Sequence, residues 1–80
     1  MSILVCEDDT ISSRIMQLNL KKHGYEVIAA ENGKEGLRIL EDTLGIELVV
    51  LDIMMPEMDG LSLLAAIKES PQFSAIPVIM

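Results

Sequence analysis

The sequence predicts an α/β protein, a three-layer sandwich in which a parallel sheet lies between helices. Short apolar runs alternate with longer stretches of helical periodicity along the chain, in the order βαβαβαβ. The apolar runs contain few polar residues, which is typical of strands buried on both faces. Glycine, Asn-Gly and proline separate the segments and mark where they end. Strands that alternate with helices favour parallel pairing with right-handed crossovers.

The predicted strands are four apolar runs. They cover residues 3–6, 25–30 and 46–51, and a fourth strand begins at residue 77. The third run is the most apolar, and Glu47 is its only charged residue. Runs of this length, bounded by acids or turn residues, are typical of strands in a buried sheet.

The predicted helices cover residues 10–23, 34–44 and about 60–69. Apolar residues recur at helical spacing in each, and we expect the faces that they form to meet the sheet. These residues are Ile11, Ile15 and Leu18 in the first helix, Leu37, Leu40 and Leu44 in the second, and Leu61, Leu64, Ala65 and Ile67 in the third. Asp9 or Thr10 is expected to cap the start of the first helix, and Gly24 to end it. Gly45 ends the second helix. Asp59 caps the start of the third, and Pro71 breaks it.

Composition excludes several classes of function. The chain has 80 residues, enough for one domain, and its net charge is −7 because 13 acids face 6 Lys and Arg. This balance argues against binding to nucleic acid or to an anionic membrane surface. The start of the chain lacks the features of a signal peptide, and no apolar run approaches the length of a membrane span. Cys6 is the single cysteine, which fits a reducing compartment, so we expect a cytoplasmic protein.

Three acids follow predicted strands. Glu7 and Asp8 come directly after the first strand, and Asp52 comes at the end of the third. Ligands of open α/β sheets bind beyond the carboxyl ends of the strands. If the strand order is 2-1-3-4, as in flavodoxin-like proteins, the first and third strands are neighbours and these carboxylates converge. Converging carboxylates repel one another, and a divalent cation such as Mg²⁺ removes the conflict.

A carboxylate can also act as a nucleophile and form an aspartyl phosphate, with the metal neutralising the phosphoryl oxygens. A simpler interpretation stays open for Glu7 and Asp8, because acids after a strand are often helix caps or solvated loop residues. Asp52 follows a run of apolar residues, where an unpaired carboxylate is costly, so it indicates a functional site.

Three segments resemble response regulator receiver domains of two-component signalling. Residues 3–9 (ILVCEDD) are similar to the opening strand and acidic pair of that family. Residues 51–60 (LDIMMPEMDG) are similar to its phosphoacceptor segment, and residues 30–37 (AENGKEGL) to its second loop and helix. The resemblance spans the whole chain, and it implies a flavodoxin-like fold with strand order 2-1-3-4.

The resemblance implies a role for each matching residue. Asp52 would accept a phosphoryl group from a sensor histidine kinase or a phosphotransfer protein. Mg²⁺ would be bound by Asp8 directly, by Glu7 directly or through water, by Asp52, and by the backbone carbonyl of Met54. The chain would then be a signalling domain rather than an enzyme with a separate substrate. By the same resemblance, we expect the kinase to dock on the exposed side of the first helix, near Ser12, Ser13 and Gln17.

The resemblance also implies that residues 1–80 are an incomplete receiver domain. The family has a Ser or Thr after the fourth strand, a Lys at the end of a fifth strand, and final helices, and none of these falls within the sequence. We therefore expect the open edge of the fourth strand to promote self-association. The isolated chain should otherwise be unstable.

Two other function classes require residue patterns that this sequence lacks. A phosphohydrolase with an Asp nucleophile needs a second Asp two residues later, and Met54 stands there. A nucleotide-binding protein would have a glycine-rich loop after the first strand, and the acids Glu7, Asp8 and Asp9 stand there instead. An interaction module that is never phosphorylated, or an inactive fragment, stays open as the alternative. His23, the only histidine, is interpreted as a partner of the helix dipole.

Overall fold

The computed structural model describes residues 2–51 and 60–79. The elements are β1 (Ser2–Cys6), α1 (Thr10–Lys22), β2 (Glu26–Ala30), α2 (Gly33–Asp42), β3 (Ile46–Leu51), α3 (Gly60–Glu69) and β4 (Val78–Ile79). In these residues the strands form one parallel sheet in the order β2-β1-β3-β4. The predicted fold class and strand order are confirmed. No helix within the described ranges is long and apolar enough to cross a membrane.

β1 lies inside the sheet, with β2 on one side and β3 on the other. The register pairs Cys6 with Ala30 on β2 and with Leu51 on β3. Because all three strands are parallel, these three residues mark one edge of the sheet, where the carboxyl ends of the strands lie together. This edge is the one that the sequence predicted to carry the site.

The larger core lies where α2 and α3 pack against each other and against the sheet. Its buried residues are Leu4, Cys6, Ala30, Leu40, Ile46, Val49, Leu51, Leu63, Ile67 and Phe73. α1 packs instead on β1 and β2. Ile3 and Val5 alternate with the core residues of β1 and are buried as well, so β1 is covered on both faces.

The apolar face of α1 points away from the sheet, contrary to expectation. Ile11, Ile15 and Leu18 are 72%, 56% and 61% exposed. The buried residue of this helix is Ser13, whose hydroxyl oxygen accepts a hydrogen bond from the Gln17 side-chain amide at 3.0 Å. Helical spacing identifies residues that share a side, but it does not say which side meets the sheet.

The other two helices differ from prediction in detail. α2 ends at Asp42, so Leu44 lies beyond it and is exposed, whereas Leu40 is buried as expected. In α3 the fully buried residues are Leu63 and Ile67. Leu61 and Ala65 were expected to face inward, but both are exposed. The predicted cap of α3, Asp59, lies outside the described residues.

The end of α1 follows the prediction closely. His23 is the C-cap, and Gly24 adopts a φ of 89°. The Gly24 N–H donates to the Lys21 carbonyl at 3.0 Å, and the Tyr25 N–H donates to the Leu20 carbonyl at 3.2 Å. This is the Schellman arrangement, which favours glycine because side chains disfavour positive φ.

α2 lies close against the sheet at Gly36. A Cβ atom added there would lie 2.6 Å from the Sγ atom of Cys6 and 3.3 Å from a methyl group of Leu63. Gly36 therefore allows α2 to lie directly on β1. Cys6 is buried, and burial, with a smaller contribution from the negative charge of Glu35, raises the pKa of its thiol to about 12. The thiol is protonated at neutral pH and packs as a small apolar group.

We expect Gly36→Ala to lower the free energy of unfolding by roughly 1–3 kcal/mol, because the new methyl group overpacks the α2–β1 contact. Adding Cys6→Ala should remove most of that cost by deleting the sulfur atom, which a double-mutant cycle from denaturant unfolding would measure.

Gly24→Ala is the matched control, since nothing lies within 4 Å of its new Cβ and its cost comes from the positive φ alone. Cys6→Ala should leave the cost of Gly24→Ala unchanged. Equal effects of Cys6→Ala on both glycine variants would contradict a specific contact between Gly36 and Cys6.

Candidate functional site

The carboxyl edge of the sheet brings together the last residues of three strands, Cys6, Ala30 and Leu51. Glu7 follows Cys6, Glu31 follows Ala30, and Asp52 is the residue after Leu51 in sequence. Asp52 and Met54 themselves lie outside the described residues, so their predicted roles stay predictions. The described half of the site consists of the acids after β1 and their neighbours on α1 and α2.

Glu7 is built into the loop after β1. Its N–H donates to the Ala30 carbonyl at 3.1 Å, which continues the pairing of β1 with β2 beyond Cys6. Its carboxylate Oε1 accepts a hydrogen bond from the Asp9 N–H at 3.2 Å. The side chain is half-buried, and this bond directs one of its carboxylate oxygens at the loop.

Asp9 caps α1, as the sequence predicted. Its Oδ1 accepts a hydrogen bond from the Ile11 N–H at 3.1 Å, and its Oδ2 accepts one from the Ser12 hydroxyl at 2.9 Å. The Ser12 hydroxyl first, and then the Ile11 N–H, hold the pKa of the Asp9 carboxyl below its usual range. Both carboxylate oxygens of Asp9 are thus used by the start of the helix.

Asp8 lies between these two acids in the chain and differs from both. Its side chain is exposed, and it makes no hydrogen bond or ion pair with any residue in the ranges 2–51 and 60–79. Both of its carboxylate oxygens are therefore available on the described side of the site. Glu7 and Asp9 each contribute oxygen atoms to the loop, so Asp8 is the acid after β1 best suited to bind a ligand.

An open groove of about 380 Å³ lies beside these acids, between α1 and the end of β2. Glu7, Asp8, Glu31, Glu35, Arg14 and Lys21 supply its charged lining. The last four of these residues are not among the site residues predicted from the sequence. The rule that selected Glu7 and Asp8, applied to the end of β2, would have found Glu31 as well.

The described residues alone do not form a metal site. Within residues 2–51 and 60–79, no group of three or more His, Cys, Asp or Glu side chains could hold a metal ion. The predicted ligand set of Glu7, Asp8, Asp52 and the Met54 carbonyl includes two members that lie outside the described residues, Asp52 and Met54. Cys6 is not a competing nucleophile, because its buried thiol stays protonated.

Two proteins are similar to this chain in sequence. The chemotaxis protein CheY1 of Helicobacter pylori is 36% identical over 81 residues, which cover 100% of this chain and 65% of that protein. A histidine kinase of Formosa agariphila is 40% identical over 79 residues, which cover 99% of this chain and 6% of the kinase.

A solved structure has the same fold. The N-terminal domain of a response regulator receiver protein from Methanoculleus marisnigri superposes with a TM-score of 0.90 at 40% identity, over 96% of this chain and 62% of that one. The chain thus spans less than two thirds of the relatives that it matches.

The sequence profile described as "Response regulator receiver domain" matches residues 3–80. This match covers nearly the whole chain, and it agrees with the parallel sheet of order β2-β1-β3-β4 and with the acids that follow β1. The chain belongs to the family of response regulator receiver domains.

Proposed function

We propose that this chain is the phosphoacceptor receiver domain of a two-component response regulator. In this proposal Asp52 accepts a phosphoryl group from a histidine kinase or a phosphotransfer protein, and the modified domain switches an output. The observation that carries the proposal is the register of the sheet. It pairs Cys6 with Leu51, so the loop that holds Asp8 starts beside the strand that leads to Asp52.

The chemistry is a transfer between two proteins. A carboxylate oxygen of Asp52 attacks the phosphorus atom, the bond from phosphorus to the donor's imidazole nitrogen breaks, and the imidazole leaves as the aspartyl phosphate forms. The donor supplies the energy of the labile bond, so this chain needs no general base of its own. Its task is to position Asp52 and to balance the negative charge that gathers there.

The donor atoms of the site fit Mg²⁺. Asp8 would bind it with its available carboxylate, Glu7 directly or through water, and Asp52 and the Met54 carbonyl would complete the protein's share. All of these ligands are oxygen atoms, which Mg²⁺ prefers, and bound Mg²⁺ would neutralise the phosphoryl oxygens. The capping bonds of Asp9 favour Asp8 over Asp9 as the ligand, because they occupy both carboxylate oxygens of Asp9.

A cytoplasmic location is part of the proposal, since a single free cysteine fits a reducing compartment. The kinase-docking residues proposed from the sequence need correction. Ser13 is buried, and Gln17 is half-buried and donates its hydrogen bond to Ser13. The side of α1 open to a partner is the one that carries Ile11 and Ile15.

We expect acetyl phosphate to label the natural full-length protein on Asp52, with an acid-labile phosphate that Asp52→Asn abolishes because an amide oxygen is a poor nucleophile. Mass spectrometry after borohydride trapping would locate the label. Asp42→Asn, which changes an exposed acid on α2, is the control and should keep full labelling. Equal labelling of the wild type and Asp52→Asn would favour the alternative, an interaction module that is never phosphorylated.

We expect Asp8→Asn to weaken Mg²⁺ binding by at least roughly tenfold in calorimetric titration, as loss of a direct ligand should cost no less than loss of a supporting residue. Glu7→Gln should have a smaller effect. Asp9→Asn should leave Mg²⁺ affinity nearly unchanged, because asparagine also caps a helix. The choice of Asp8 over Asp9 as the ligand would be wrong if Asp9→Asn removed Mg²⁺ binding and Asp8→Asn did not.

Self-association through β4 of residues 1–80, taken as a separate polypeptide, is a further part of the proposal. Among the described strands, β4 pairs only with β3, and Ile79 is more than half exposed. An open strand edge attracts other strands, and a lysine on it opposes pairing. We expect sedimentation velocity to show concentration-dependent association that Ile79→Lys reduces. Leu44→Lys, at an exposed apolar residue away from β4, should leave it unchanged, and a wild-type monomer at all concentrations would refute the interface.

A further inference from the structure

β2 forms one edge of the sheet and presents an open backbone. Among the described strands it pairs only with β1, through five consecutive residues without a register shift. Its last four residues, 27–30, contain no charge and no proline. Sheet edges are usually protected by charged residues, proline or a bulge, because an open edge pairs with other strands. In the part of the chain that the structure describes, the centre of β2 has none of these protections.

Two residues of β2 direct their backbone groups outward. The Ala30 carbonyl accepts a hydrogen bond from the Glu7 N–H, so the backbone groups of Ala30 point to β1. Backbone groups alternate in direction along a strand, so those of Ile28 also point to β1, whereas those of Val27 and Ala29 point to the open edge. β2 therefore offers both an N–H donor and a carbonyl acceptor at each of these two residues.

The open groove of about 380 Å³ borders the end of β2 on the side of α1, where Ala29 lies opposite Leu18 and Lys21. The side chains of β2 alternate between the two faces of the sheet. Ile28 packs against the larger core, so its neighbours Val27 and Ala29 face α1. Because Ala29 is small, the groove has room for side chains of a strand added at this edge.

The two ends of the groove carry opposite charges. α1 starts at the carboxyl edge of the sheet and returns to the start of β2, so Lys21 lies about 16 Å along the helix from Thr10. Glu31 follows β2 and lies at the opposite end of the groove, at the carboxyl edge. Arg14 lies between them, one helical turn from Thr10. Glu31 and Lys21 are both exposed and so are accessible to a partner.

We infer that the β2 edge and this groove bind an extended peptide of another protein, which joins the sheet as an antiparallel strand. The peptide carries a basic residue at its first position and an acidic residue at its fifth. In the antiparallel direction the basic side chain lies beside Glu31 and the acidic one beside Lys21.

The dimensions of a strand fit this arrangement. The first, third and fifth residues of a strand face one side and span about 13 Å, and long charged side chains cover the rest of the distance between Glu31 and Lys21. Backbone hydrogen bonds to Val27 and Ala29 would provide affinity, and the two charges would set the direction. The inference is independent of the proposed function, because it needs no phosphoryl transfer.

Two other occupants fit the edge less well. If the β2 strands of two copies of this chain paired about a two-fold axis, both α1 helices would lie on the same face of the joined sheet. Arg14 of one copy would then lie toward Lys21 of the other, and like charges oppose such a pairing. A parallel peptide would need the opposite order of charges, and parallel pairing is slightly less stable per residue.

The first test compares two capped peptides of one composition, with the sequences KTVTE and ETVTK. Nuclear magnetic resonance titration of the natural full-length protein should show that KTVTE binds at least roughly threefold more tightly, because only this peptide satisfies both charges in the antiparallel direction. The charge-swapped variant Lys21→Glu, Glu31→Lys should reverse the preference. Lys68→Glu, Glu69→Lys, an equal swap of exposed charges on α3, is the matched control and should keep the preference of the wild type.

The second test removes one hydrogen-bond donor of the edge. Ala29→Pro deletes an outward N–H and no bond to β1, so the protein should stay folded, as thermal unfolding would show, and lose binding of KTVTE. Ala29→Gly keeps the N–H and is the matched control, which should still bind the peptide. In the wild type, bound KTVTE should slow hydrogen exchange at the Val27 and Ala29 amides, a result that needs no variant.

Several results would overturn the inference. They are a preference for ETVTK, a preference that the swap of Lys21 and Glu31 leaves unchanged, full binding by folded Ala29→Pro, and exchange protection that avoids β2. A dimer of the free protein in sedimentation velocity that Ala29→Pro abolishes would assign the edge to a second copy of the chain instead. Labelling of Asp52 by acetyl phosphate is measured without peptide, so the proposed function and this inference fail separately.

Discussion

β1 pairs with β2 on one side and with β3 on the other, and the proposed site at the carboxyl edge depends on this double pairing. A parallel sheet cannot join neighbouring strands by tight turns, so each crossover helix returns the chain to the opposite edge and every strand ends on the same side. With β1 between its two neighbours, the last residues of three strands, Cys6, Ala30 and Leu51, meet there. Burial of β1 on both faces makes this register costly to shift.

The contact between α2 and β1 supports that strand from one side. Gly36 has no side chain, so the helix reaches the level of the Cys6 sulfur atom. Leu63 of α3 closes the same space, which links the two helices of this layer to the central strand. The loop with Glu7 and Asp8 follows Cys6 directly, so the packing under β1 also determines where that loop begins.

Three consecutive acids after β1 have three different environments. Glu7 holds the loop through the Asp9 N–H, Asp9 caps α1, and Asp8 stays exposed with both oxygens available. The division follows from geometry, because the first and third acids lie within reach of backbone N–H groups that the turn into α1 leaves without helical partners. Neighbouring carboxylates of one chemical type can therefore differ in function when the backbone uses some of them.

The order of elements, the parallel sheet and the residues that begin its carboxyl edge all follow from the sequence. They do so because alternation, strand length and end signals such as Asp9 and Gly24 are local properties of the chain. The sequence also named Asp9 or Thr10 as the cap of α1, and Asp9 is the residue that caps this helix.

Which side of α1 and of α3 faces inward depends on long-range packing, whereas the buried side of α2 agrees with the prediction for Leu40. Spacing alone suggested that Ile11 and Leu61 were buried, whereas both are exposed and Ser13 and Leu63 occupy the inner positions. Which side of a helix faces the core depends on its packing angle and on the elements beside it. Local periodicity contains neither of these. The same long-range packing brought Glu31 and Arg14 to the groove beside Asp8, because residues far apart in sequence become neighbours only when the strands pair.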